Sequence, residues 1–119
     1  MANLNDLCSG LLSSIDGSLC SAVVDANSGM LLAKAGSGVD LELAAAGNTE
    51  VMRAKQKTMK SLGLKDSIED ILITLGKHYH ILRPVAAKPG LFIYVVLDKA
   101  KSNLALARRA VLDMEAVMA

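Results

Sequence analysis

The stretch SLCSAVVDANSGMLLAKA, residues 18–35, decides the fold. Ser18 to Asp25 is short, apolar and partly β-branched, Ala26-Asn27-Ser28-Gly29 is turn-forming, and Met30 to Ala35 is apolar again. Asn and Gly tolerate positive φ, so the segment predicts a β-hairpin. Gly36-Ser37-Gly38 breaks its second strand. Upstream, Leu4, Leu7, Cys8, Leu11, Leu12 and Ile15 recur at the spacing of one helical face, and Gly17 supplies the stop.

Downstream, Asp40 is placed to cap a long helix that runs to Ser61, with Gly63 just past its end. Leu41, Ala44, Ala45, Val51, Met52, Met59 and Leu62 share one face of it, and Glu42, Glu50, Arg53, Lys57 and Lys60 the opposite one. Lys55 interrupts the apolar stripe, so it either snorkels to solvent or meets an acid or a carbonyl. Three further strands are expected, at Ser67–Leu75, His78–Val85 and Leu91–Leu97. In the first, alternation turns Ile71, Ile73 and Leu75 to one side and Ile68 and Leu72 to the other. Leu91–Leu97 is apolar on both faces, as befits a central strand covered on both sides. Asp98 is read as the cap of a final helix carrying Ala100, Leu104, Ala107, Val111, Met114 and Met118 on one stripe. The order α-β-β-α-β-β-β-α predicts an α/β (α+β) domain over residues 1–119. Its simplest form is a three-layer α/β/α sandwich around a five-stranded, mostly antiparallel sheet.

Composition narrows the class. The 119 residues are 52% hydrophobic but only 3% aromatic, which excludes disorder. Mean hydropathy is +0.38, yet the longest clearly apolar run, Leu91 to Leu97, is far too short to insert in a membrane. Met1 to Asp6 has no basic n-region, which argues against a secretory signal. Cys8 and Cys20 lack metal-ligand spacing and read as buried thiols of a reducing, cytoplasmic compartment. The net charge of +1 gives no reason to expect nucleic acid. It is nevertheless divided, with residues 1–50 acidic and residues 51–119 carrying twelve bases against six acids.

Tests for chemistry return little. There is no P-loop, nucleophile elbow or C-x-x-C motif. His78 and His80 share one strand face, but no third ligand can be named, so they read as packed or solvated rather than as a metal site. Glu69 and Asp70, adjacent in a strand, point to opposite faces and form no carboxylate pair. Arg53, Lys57 and Lys60 form a basic helical stripe suited to an acidic partner. Arg108 and Arg109 superficially suggest an arginine finger, but Arg108 flanks the packing stripe, where it is placed to bridge a carboxylate. No cofactor is expected.

The hairpin core Val23 to Ala33 and the segment Leu97-Asp98-Lys99-Ala100-Lys101-Ser102-Asn103-Leu104-Ala105-Leu106-Ala107-Arg108 resemble the roadblock/LC7 family. That family contains MglB-like regulators of small GTPases and dynein light chains of roadblock type. The resemblance implies a profilin-like fold and a homodimer in which the third strand and second helix meet their twofold mates. The expected interface comprises Ala44, Ala45, Val51, Met52, Lys55, Met59, Ile68 and Leu72. The resemblance implies a non-enzymatic module that engages a Ras-like small GTPase; the basic stripe Arg53, Lys57 and Lys60, read from its spacing, is either the partner contact or a solvated helical face. A structural adaptor within a larger complex is the alternative, and a metal or small-molecule sensor using His78 and His80 a third.

Overall fold

The computed structural model describes residues 3–118. Its elements are α1 (Leu4–Ser14), β1 (Ser18–Asp25), β2 (Met30–Gly36), α2 (Leu41–Ser61), β3 (Ile71–Thr74), β4 (His78–Pro84), β5 (Leu91–Asp98) and α3 (Leu104–Met118). The strands form one sheet in the order β2-β1-β5-β4-β3, and every pairing is antiparallel. Among the described residues no helix is long and apolar enough to cross a membrane.

Alternation along the central strands builds two cores. Val23, Ile81, Ile93, Val95 and Leu97 pack under α1 and α3 with Cys8, Leu11, Ala107, Val111 and Met114. Cys20, Ala22, Val24, Leu82, Phe92, Tyr94 and Val96 face α2, meeting Leu41, Ala45 and Met52. This explains why β5 is apolar on both faces: each face has its own helical cover. The two thiols therefore lie on opposite sides of the sheet, and burial pushes both upward in pKa.

Local signals set the helix ends. Asn3 caps α1 by accepting from the Asn5 and Asp6 amides, and Asp40 caps α2 by accepting from Leu43. Beyond α2, Gly63 takes φ +71° while Leu64 N–H donates to the Met59 carbonyl, which closes the helix end.

Three expectations are corrected. Asp98 does not cap the last helix. It ends β5, and its carboxylate accepts from the Ala100 amide in a tight turn, while Asn103 accepts from Leu106 at 3.0 Å and starts α3. Asn103→Ala is expected to cost about 1 kcal/mol, read as a fall of a few degrees in a thermal melt.

The third strand is four residues long rather than spanning Ser67–Leu75. Its ladder stops at Ile71↔Leu82. Beyond that point Pro84 has no N–H to offer, Arg83 is paired with Glu115 of α3, and Asp70 is held by Arg108 in a two-pronged bond of 3.0 and 3.1 Å. Ile68, outside the pleat, consequently joins Ile71 and Ile73 on the α2 side, whereas Leu72 packs with the α1 and α3 core.

The apolar stripe of α2 is buried only through its first half. Leu41, Ala45, Thr49 and Met52 are enclosed, but after Met52 nothing on the helix is fully buried, and Leu62 is 66% exposed.

Candidate functional site

The two edges of the sheet differ. At β2 the Lys34 amide donates to the Asn5 side chain at 3.1 Å and the Met30 amide to Ser28 Oγ. A register shift between Val23 and Val24 further distorts that side. Lys34 also carries a charge outward, 3.9 Å from Glu42. These are devices that discourage strand addition. At β3 the outer edge has no such closure among the described residues.

Beside this open edge the projecting half of α2 overhangs the segment leading into β3. Val51, Lys55, Met59, Ser67, Ile68, Asp70 and Ile71 line a groove of about 440 Å³. A neighbouring hollow of about 370 Å³ shares Met59, Ser67 and Ile68 and extends to Leu64, Pro84 and Ala86. Together they form a largely apolar trough, rimmed by Lys60 and Asp66, that follows the segment leading into β3 and reaches its first residue, Ile71. Lys55 lines it and takes part in none of the four ion pairs among the described residues.

The eight residues expected at an interface do not share one surface. Val51, Lys55, Met59 and Ile68 line the trough and Ala44 is half-buried. Ala45 and Met52 lie inside the chain's own core, and Leu72 faces the other helical layer. In the basic stripe, Lys57 and Lys60 are exposed, while Arg53 donates to the Asn27 carbonyl at 2.6 Å and so pins the hairpin tip to α2. Arg108 bridges to Asp70, and Arg109 pairs with Asp113 one turn along.

His78 and His80 do come together, stacked with ring centroids 5.6 Å apart. His80 Nδ1 lies 2.9 Å from the Tyr94 hydroxyl, and its Nε2 is buried with no partner. Burial, followed by the nearby His78, lowers the pKa of His80. Burial pushes the Tyr94 phenol up to about 12, although the nearby Asn48 side chain acts in the opposite direction. Among the described residues no third ligand completes a metal set around the pair. Tyr94, Asn48 and Asn5 escape a sequence reading. Tyr94 reaches His80 only through the register that sets Leu82 opposite Tyr94, and Asn5 reaches Lys34 across 29 positions.

No protein-family model matches the sequence, and no curated protein matches it. Solved structures do match. A roadblock/LC7 domain from Streptomyces avermitilis superposes with TM-score 0.85 at 14% identity, covering 98% of this chain and 95% of that one. Myxococcus xanthus MglB gives 0.83 at 19% identity, covering 97% of this chain and 90% of that one. An MglB with a tetrameric arrangement gives 0.80 at 15% identity, with 95% and 82% covered. The chain has the roadblock/LC7 fold.

Proposed function

We propose that this chain is a homodimeric binding module that regulates a Ras-like small GTPase and performs no chemistry of its own. One observation carries the reading: a bare strand edge beside an exposed apolar trough, in a sheet whose other edge is closed. Pairing of β3 with its twofold mate extends the sheet across two chains, and each projecting α2 half then covers the join. Val51, Met59 and Ile68 become interface core, with Lys55 at its rim. The similarity to MglB structures, one of them tetrameric, supports self-association and a GTPase partner.

The partner face follows from charge. Lys57 and Lys60 stand free on α2, next to Arg53, and no acid occurs between Val51 and Lys65. An acidic surface on the GTPase is the complement. Regulation requires different affinities for the two nucleotide states, since equal binding shifts no equilibrium. With the purified GTPase immobilised in GDP-bound and GTP-analogue-bound forms, this protein is expected to prefer one state by about tenfold or more. Charge reversal at Arg53, Lys57 and Lys60 is expected to abolish the interaction. Equal retention on both forms overturns regulation in favour of a passive adaptor, and no retention overturns both.

A further inference from the structure

We propose that the His78–His80–Tyr94 cluster makes the edge strand proton-sensitive: uptake of a proton by His80 releases β3 from β4. His80 lies opposite Ile73 of β3 on one side and Val96 of β5 on the other, on the face that α2 covers. A neutral imidazole presents one donor and one acceptor, and the Tyr94 hydroxyl occupies Nδ1. The remaining nitrogen, Nε2, meets no hydrogen-bonding group. With Nδ1–H donating to the Tyr94 oxygen, Nε2 is the nitrogen that takes up the proton, and the N–H it gains finds no acceptor, next to another imidazole 5.6 Å away.

Among the described residues, the strand partners beside the ring offer no charge to offset it. Ile73 from β3 and Val96 from β5 are apolar, and Tyr94 supplies only a hydroxyl. On its own strand the titrating neighbour is His78, which pairs across the sheet with Asp98, whose carboxylate accepts from the Ala100 amide. Further along the α2 side, Lys55 adds a positive charge at the trough, where Asp70 is already held by Arg108. No ion pair among the described residues includes either histidine.

In the single chain the strand that yields is β3, because it is four residues long and β4 is its one strand neighbour among the described residues, whereas β4 and β5 share seven paired positions. Burial and His78 together hold His80 below its ordinary 6.5. The opened form therefore binds the proton more readily than the closed one. Opening is favoured as pH falls below about 6.5, by up to about tenfold per pH unit, until the closed-state pKa is passed. Any consequence for assembly rests on the homodimer reading; the opening of the strand does not.

Hydrogen exchange on the full chain at pH 7.5 and 5.5, corrected for intrinsic rates, tests this. Amides of residues 71–74 are expected to lose protection at the lower pH, by at most about tenfold, while those of β1 and β5 hold. His80→Gln, which keeps a hydrogen-bonding amide beside Tyr94 but cannot titrate, is expected to remove the effect, and His78→Asn to shrink it. Unchanged protection of 71–74 in the wild type overturns the proposal, as does an equal loss in wild type and His78→Asn. Sedimentation at both pH values separates the two readings. A monomer throughout, with the exchange response intact, refutes the homodimer and leaves the switch standing.

Discussion

Val51→Glu combined with Met59→Glu is expected to convert the proposed dimer to a folded monomer. Val51 is 39% exposed and Met59 half-buried in the single chain, so a carboxylate at either position reaches water when the chain is alone. Across a twofold join the same carboxylates are buried against Ile68, Ile71 and each other's copies. Each unpartnered polar burial costs about 2 kcal/mol, so the four in a dimer weaken association by about 10⁵-fold or more. Sedimentation equilibrium measures the shift, and circular dichroism checks that the monomer remains folded. Leu106→Glu with Val117→Glu, on the exposed side of α3, serves as the control and is expected to leave association unchanged. A wild-type monomer at micromolar concentration, or an unaltered dimer in the Val51/Met59 variant, refutes the interface.

Gly36→Ala is expected to be the most destabilising small substitution in the chain. Gly36 closes β2 at φ +78°, where an L side chain is strained by about 1–2 kcal/mol. An added Cβ there also collides with the Leu19 carbonyl oxygen and sits 2.9 Å from Cys20 Cα, both backbone atoms of the adjacent central strand. Backbone cannot step aside as a side-chain tip does, so the overlap adds about 1–3 kcal/mol. A total of about 2–5 kcal/mol is a large part of a small domain's stability. Denaturant unfolding is expected to show a much lower midpoint with an unchanged slope. Gly47→Ala is the contrast: nothing lies within 4 Å of its added Cβ, and an exposed helix position gains from alanine. A Gly36→Ala midpoint within experimental error of wild type contradicts the account.

What could be read without coordinates was local. Asp40, Gly63 and the apolar spacing of α2 fix that helix within a few neighbouring residues, and its observed limits, Leu41–Ser61, are the expected ones. Asp98 and Asn103 are equally able to cap a helix, and only the extension of β5 through Asp98 selects Asn103. The shortening of β3 depends on Arg83–Glu115 and Arg108–Asp70, contacts that span 32 and 38 positions. No periodicity encodes such pairs. The same holds for the trough. The stripe on α2 is continuous in sequence, yet contact with the sheet ends at Met52, so one pattern serves the chain's own core in its first half and an open surface in its second. The histidine pair was visible as an alternation, but its hydroxyl neighbour came only with the strand register.

Asn5 reaches from the first turn of α1 to the Lys34 amide and fills one hydrogen-bonding position on the outer side of β2. In the language of polymerisation, the sheet is a monomer with one reactive terminus and one terminated one. In the dimer proposed above, pairing at β3 uses the reactive terminus of both molecules at once, and the resulting ten-stranded sheet ends on β2 at either side. On that proposal strand addition stops at two, and growth beyond a pair proceeds through helices and side chains.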